Sequence, residues 1–298
     1  MRSHSVVKRN DTLYSRIFDV VNAVFLVLYG LACLLPFIYI IAASLADSTE
    51  IVSRSFFLIP RKISLVSYQY IFSSATLPRA ALVSTGVTAA GTFISMFLTL
   101  TMAYPLSKKD LVGRNILMKF IAFTMVFSGG MIPTFLVVRS LNLIDTYAAL
   151  ILPVSINTFN LIVIKNFFQE QPQELQEAAK IDGCSDIMIF IRIVLPLSMP
   201  VIATFTLFYA VGYWNDYFNS LLYINDTRRW PLQILLRQIV MFSQGGIDGA
   251  APDLMYNKPP AASIKMAVIV FGTLPILVVY PFLQKYFAKG VLLGSIKG

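Results

Sequence analysis

Residues 18–43 read FDVVNAVFLVLYGLACLLPFIYIIAA. Asp19 is the only charge in about 25 positions, and about 20 helical residues suffice to cross the hydrocarbon of a bilayer. The run follows Arg2, Lys8, Arg9 and Arg16 and leads into Ala43-Ser44-Leu45-Ala46, the outline of a secretory signal with a small-residue cleavage site. Signal cores hold roughly 7–15 apolar residues, so the length of this run predicts an uncleaved anchor. The whole chain agrees: of 298 residues, 57% are hydrophobic and 13% charged, with mean hydropathy +0.71. A soluble chain solvates its surface with about 25% charge, so an ordinary soluble enzyme is excluded. The net charge of +9 would suggest nucleic acid in a soluble domain; in a membrane protein it reflects Lys and Arg gathered on the cytoplasmic side, and no nucleic-acid partner is expected. Cys33 lies inside the run and Cys184 in a polar loop, which argues against a disulfide, and His4 is the only histidine. With no His/Cys cluster, no metal site is expected.

Five more apolar stretches follow, at about 80–105, 116–138, 147–168, 200–223 and 264–287. The predicted fold is an all-α integral membrane protein with six transmembrane helices. The second stretch is rich in Ser, Thr, Gly and Ala, which lets helices approach closely in lipid. Gly129, Gly130 and Pro133 interrupt the outer half of the third, and Pro153 and Asn157 fall in the fourth. Placing both termini inside puts 14 of the 24 Lys and Arg in the cytoplasm and 10 outside, although the outer loops are the longer ones. Lys108, Lys109, Arg114 and Lys119 surround one short inner turn, and Lys285, Lys289 and Lys297 mark the C-terminal end; this asymmetry predicts N-in and C-in. The organisation expected is an inner arm (1–17), the first helix with its outer loop (18–79), a core of five helices (80–287) with an inner loop at 169–198, and an inner tail (288–298). Outer loop 225–263 holds Gly245, Gly246, Gly249, Pro252, Pro259 and Pro260 and reads as turn-rich.

The inner loop reads QEQPQELQEAAKIDGCSD over 169–186 and carries nearly all the acid on its side. Pro172 suits a first helical turn and Glu174 complements the helix dipole. A short helix over 172–181 is expected, stopped at Gly183 where a left-handed backbone is needed. Ser185 then caps a second helix from Asp186, and Leu195-Pro196 and Pro200 mark entry into the fifth span. Such a helix–Gly–helix, with Ala178 and Ala179 keeping its profile low, suits a partner surface rimmed by carboxylate contacts. The alternative is an amphipathic loop lying on lipid headgroups, which usually presents a cationic face, whereas this one is acidic.

Glu177-Ala178-Ala179, Asp182-Gly183, Phe190, Ile193, Leu195-Pro196 and Pro200 together resemble the EAA motif of ABC importer permeases. Cys184 departs from the small residue usual there, but is itself small. Gly130-Met131-Ile132-Pro133, Asp145-Thr146-Tyr147 and Leu152-Pro153 are similar to the sugar-importing branch. Trp214-Asn215-Asp216 is similar to the fifth span of its maltose-type members. The resemblance covers roughly 80–285. It implies a type I importer permease of a bacterial cell membrane, with loop 169–198 as the coupling loop. It also implies a heterodimer with a second permease, an ATP-binding subunit dimer docked inside, and an extracellular solute-binding protein. The chain has no Gly-x-x-x-x-Gly-Lys-Ser/Thr phosphate loop, so ATP and Mg belong to the partner ATPase and no cofactor is expected on this chain. Ser84, Thr85, Ser107 and Ser128 have no histidine to pair with, so no catalytic residues are assigned. A permease for a non-sugar solute is one alternative. An ion-driven secondary transporter is the other, though such proteins often show related halves and buried carboxylates.

Polar residues inside spans face a cavity or another helix. Asn157, Asn160, Tyr213, Trp214, Asn215, Asp216 and Tyr217 are the candidates. Amides and carboxylates hydrogen-bond sugar hydroxyls while aromatic faces cover the ring, so these residues line a substrate pathway or, on the plainer reading, bond the bundle together.

Overall fold

The computed structural model describes residues 13–73, 75–244 and 261–295; His4, the first basic residues and the glycines and prolines of 245–260 lie outside them. The elements named among the described residues are all helical, with one isolated antiparallel bridge between Ala46 and Ile63. Two compact units are formed by the described residues of Met1–Tyr70 with Ala250–Val270, and of Ile71–Gly249 with Phe271–Gly298.

In the first unit, α1 (Leu13–Ser44) is apolar all round and exposed until Ala42, Ala43 and Ser44 near its end. A helix with no polar face is stable only in lipid or protein. After α2 (Ser48–Ser53) the chain reaches α3 (Val66–Ser73), which crosses into the second unit. A small core of Ala42, Ala43, Ala46 and Phe57 packs with Tyr39, Ile51 and Met266. Glu50 is buried and satisfied by the Arg54 guanidinium at 2.5 Å and the Arg61 backbone N–H at 2.8 Å.

The second unit is organised on α4 (Thr76–Ser107). The third stretch is not one straight span: α5 (Arg114–Val126) and α6 (Met131–Ser140) meet at 115°. The break falls at Gly129 and Gly130, the latter at φ +83°, where only glycine is unstrained. The fourth stretch divides into α7 (Ala148–Ile151), a 3₁₀ turn at Leu152–Val154, and α8 (Thr158–Gln169), bent by 54°. Asn157 caps α8 by accepting the Asn160 N–H at 3.1 Å. The inner loop forms α9 (Gln173–Ile181) and α10 (Asp186–Ile189), then a π turn (Phe190–Val194) and α11 (Leu195–Leu197). It turns by 82° into α12 (Met199–Trp214). The expected fifth span ends nine residues early, at Trp214; Asn215–Tyr217 are irregular and α13 (Phe218–Tyr223) restarts. A short 3₁₀ turn, then α14 (Leu232–Gln244) and α15 (Ala261–Ser295), complete the chain, α15 belonging to both units. Among the described residues three helices are long and apolar enough to cross a membrane alone, and up to six spans result when each bent pair counts as one.

The packing of α4 against α12 and α8 follows from small residues on α4. Gly91 lies under the Tyr213 ring, so close that a Cβ there would sit 2.7 Å from Cζ. One turn on, Ser95 Oγ bonds Tyr213 OH at 2.8 Å, and one turn further Thr99 Oγ1 bonds Tyr209 OH at 2.9 Å. The same hydroxyls reach the fourth stretch: Tyr213 OH donates to Ile151 O at 3.3 Å, and Tyr209 OH accepts the Asn157 N–H at 3.1 Å. Two tyrosines at i and i+4 on α12 thus tie three segments together.

Candidate functional site

The inner loop is built by local rules. Gly183 sits at φ +84°; its N–H bonds Lys180 O at 3.0 Å while the Cys184 N–H bonds Ala179 O at 2.9 Å. This is a Schellman end, which stops α9 and satisfies its last carbonyls. Ser185 Oγ accepts the Met188 N–H at 3.3 Å and starts α10. Lys180 and Asp186 bridge the turn at 3.1 Å, but both are more than half exposed, so the pair contributes little.

One side of α9 is fastened to the bundle. Gln176 and Ala179 are buried, and Lys108, at the end of α4, donates to Gln176 Oε1. Burial, and secondarily the nearby Lys180, hold the Lys108 ammonium below its ordinary pKa. Phe190 in the π turn packs against Tyr104 with centroids 4.8 Å apart and ring planes tilted by 32°, and Gln171 Nε2 donates to Ser198 Oγ at 2.7 Å. Arg114 and Lys165 both donate to Gln169 Oε1, at 3.2 and 3.1 Å. Among the described residues nothing covers the other side of α9: Leu175, Ala178 and Ile181, spaced three apart, are exposed, Ile181 by 87%. Ile187 on α10 is exposed as well. Glu177, Asp182 and Gly183 are also exposed; Ala179 is not, so the two alanines do not share a face. Leu195 is half-buried and Pro196 exposed in α11. The π turn lies just before Pro196, which has no N–H to offer the preceding turn.

The polar candidates divide. Asn157, Asn160, Tyr213 and Asp216 line one cavity of about 300 Å³ with Val154, Phe208, Tyr209, Gly212 and Asn219. Trp214, Asn215 and Tyr217 are not among its walls. Trp214 is buried, donates Nε1–H to Gly272 O at 3.1 Å, and edges a separate apolar cleft of about 500 Å³ that includes Phe93, Met96, Val211 and Pro275. Asn215 bonds Val211 O at 3.0 Å and Gln233 Nε2 at 3.4 Å. Tyr217 carries the Arg237 guanidinium 4.3 Å over its ring. Sequence reasoning passed over Tyr209, Phe208 and Asn219; the i, i+4 spacing of Tyr209 and Tyr213 was the available signal.

It also passed over a clamp beyond the spans. Asp145, at φ +60°, takes the N–H groups of Asn225 and Asp226 on Oδ1 at 2.6 and 3.0 Å and Asn225 Nδ2 on Oδ2 at 3.1 Å. Its own N–H bonds Tyr223 O at 2.9 Å, and Arg229 caps its carbonyl. The two backbone N–H bonds, from Asp226 and Asn225, hold the carboxyl below the ordinary aspartate range.

The chain is similar along nearly its whole length to Protein LplC of Bacillus subtilis (strain 168), 57% identical with 97% of this chain and 98% of the relative covered. It is also 57% identical to the polygalacturonan/rhamnogalacturonan transport system permease protein YtcP of the same organism, covering 95% and 99%. In structure it matches a chain of a bacterial ABC transporter involved in the import of the acidic polysaccharide alginate, with TM-score 0.87 and 32% identity over 93% of this chain and 98% of that one. Residues 5–293 match a single family over almost the full sequence. The chain belongs to the binding-protein-dependent transport system inner membrane components, the membrane-embedded permeases of ABC importers.

Proposed function

We propose that this permease imports a carbohydrate, an oligosaccharide, as one half of a heterodimer with a second homologous permease. An ATP-binding subunit dimer docks on its inner face and a solute-binding protein delivers cargo from outside, with both termini in the cytoplasm of a bacterial cell. The observation that carries the coupling assignment is the exposed stripe Leu175–Ala178–Ile181 on a helix whose opposite side is fastened to α4. Apolar groups facing water on a polar loop favour a partner surface, and Glu174 and Glu177 supply a charged rim. The sugar assignment is supported by a cavity combining amides, a carboxylate and aromatic rings, and by the sugar-polymer cargoes named for YtcP and for the alginate transporter.

In this reading ATP and Mg are used by the partner, whose closure pushes on Leu175, Ala178, Ile181, Glu177 and Asp182. Gly183 keeps α9 and α10 at a fixed angle, and the π turn with Leu195-Pro196 passes the displacement into α12. α12 carries Tyr209 and Tyr213, so the push reaches the cavity wall and switches its access.

The test is purification of the tagged chain in mild detergent from its native membrane. A phosphate-loop ATPase and a second permease should come with it, and Ala178→Glu should lose the ATPase while retaining the second permease. Retention of the ATPase by Ala178→Glu at wild-type yield would refute the docking face. Uptake reconstituted from this chain alone, without ATP, would refute the importer reading altogether.

A further inference from the structure

At the end of α12 away from the inner loop, a cation stands exposed with nothing of its own chain to neutralise it. The helix stops at Trp214, and Asn215–Tyr217 are irregular before α13 restarts. Irregular backbone within a bilayer is tolerated where it is buried in protein or lines a water-filled passage, and Asn215 is exposed. α14 runs past this break. Its apolar side is already packed: Leu232 and Ile234 are buried, the Leu232 N–H bonds Ser84 Oγ at 2.8 Å, and Leu236 lies against Gly272. Gln233 and Arg237, four residues apart, share another face of the helix. Gln233 Nε2 reaches Asn215 Oδ1 at 3.4 Å, and one turn on the Arg237 guanidinium lies 4.3 Å over the Tyr217 ring. Among the described residues no carboxylate lies within ion-pair distance of Arg237, and none of its N–H groups makes a hydrogen bond. Asp216, the one acid in the break, holds Asn219 with Oδ1 and keeps Oδ2 closed off from solvent, so it does not pair with the guanidinium.

A guanidinium lying over an aromatic ring keeps the N–H groups of its edge free, and that edge matches a carboxylate through two parallel bonds. The Gln233 amide beside it retains its Oε1 and one N–H for ring hydroxyls. Arg237 is itself exposed, so a ligand reaches it without the fold opening. Asn215 and Tyr217 flank Asp216, which lines the polar cavity, so the cation stands next to the cavity wall. We infer that Arg237, stacked on Tyr217 and flanked by Gln233, reads the carboxylate of a uronate ring as an acidic saccharide meets the α12–α13 break. The inference rests on the carbohydrate reading above and narrows its substrate class.

Arg237→Gln removes the charge and the fork but keeps a polar side chain; Arg237→Lys keeps the charge and loses the fork. The complete complex, purified with its partner permease and ATPases and without binding protein, is titrated calorimetrically with a galacturonate trimer and with its methyl ester, equal in length but uncharged. Wild type should bind the acid about tenfold more tightly than the ester, as one charge-assisted pair gives. Arg237→Gln should bring the two within about threefold by losing affinity for the acid, with monodisperse elution confirming its fold. Arg237→Lys should fall between. Equal binding of acid and ester by wild type, or a preference that survives Arg237→Gln, overturns the assignment. So does an Arg237→Gln complex that keeps the preference but loses the second permease or the binding protein, because the guanidinium then pairs with a protein carboxylate. Binding of neither trimer by a complex that still takes up sugar overturns it as well. Failure of the complete transporter to take up any sugar is a different result, and it removes the carbohydrate reading itself.

Discussion

Gly91→Ala tests whether the tyrosine ties on α12 hold the bundle. The added Cβ would stand 2.7 Å from Tyr213 Cζ and 2.8 Å from both Cε atoms. Carbon atoms rest at about 3.5–4.0 Å, so the ring must retreat by roughly 1 Å. It has little freedom to do so, since its hydroxyl bonds Ser95 Oγ at 2.8 Å and Ile151 O at 3.3 Å. A retreat of that size breaks both bonds, at about 1 kcal/mol each. Overpacking adds about 1–3 kcal/mol, and the ordinary helical gain of Gly→Ala offsets about 1 kcal/mol. The proper reference is Gly86→Ala on the same helix, where a Cβ meets nothing within 4 Å. It carries the same propensity gain without the clash, so the two variants should differ by about 3–5 kcal/mol. Both proteins are heated in detergent and the fraction remaining monodisperse is followed. The midpoint of Gly91→Ala should fall roughly 5–15 °C below that of Gly86→Ala. Adding Tyr213→Ala to Gly91→Ala should cost less than the sum of the single changes, because the removed ring vacates the space. Equal midpoints for the two alanine variants would refute the argument that α4 and α12 meet at Gly91.

Gly183→Pro should abolish uptake while membrane insertion stays normal, because proline cannot adopt φ +84°; wild-type uptake would exclude a fixed α9–α10 angle from coupling. Gly183→Ala meets no neighbour and should cost only the left-handed backbone, roughly 1–2 kcal/mol, leaving uptake partly intact in the same assay. Trp214→Phe removes the bond to Gly272 O and should lower thermal stability by about 1 kcal/mol without changing sugar affinity; a changed affinity with unchanged stability would return Trp214 to the pathway. The Asp145 clamp contributes stability that is fully present above the ordinary aspartate pKa, because its folded value is depressed, and that is lost as pH falls through the folded value. Amide exchange at Asn225 and Asp226, corrected for its intrinsic pH dependence, should therefore lose protection in strong acid. Asp145→Asn should show weaker protection at neutral pH and no such acid step.

What was legible in the sequence was whatever a local rule writes. The length of the run at 18–43, the proline at 172, the glycine at 183 and the serine at 185 each act within a few residues of themselves, and α9 and α10 formed where those residues said. The second stretch announced close packing through its Ser, Thr, Gly and Ala content, but not that Gly91, Ser95 and Thr99 would make the contacts. The breaks were less legible. Gly129-Gly130 marked an interruption but not a 115° turn, since the angle depends on what α6 packs against. The end of α12 at Trp214 was hidden because Asn215-Asp216 sits in an apolar stretch whose hydropathy continues to Tyr223. Trp214 and Asp216 are two residues apart and alike in being polar-capable within a span, yet one bonds Gly272 and the other faces the cavity. Only the helix phase separates them, and the break at 215–217 resets that phase.

In the proposed coupling the loop and the cavity act as one device because of how α12 begins. Ser198, at the 82° turn, is wholly buried; its Oγ bonds Val194 O at 2.6 Å and accepts Gln171 Nε2. Gln171 immediately precedes Pro172 and α9, so the start of α9 is hydrogen-bonded to the start of the helix that carries Tyr209 and Tyr213. A displacement of α9 therefore has two routes into α12: through the chain by α10 and the π turn, and across the short cut from Gln171 to Ser198. Two connections of different length resist rotation of α12 about its own axis better than one, and favour tilting it as a rigid rod. In the coupling proposed above, that tilt carries the Tyr209 and Tyr213 hydroxyls relative to α4 and the fourth stretch together, and so changes the wall between Asn157 and Asp216.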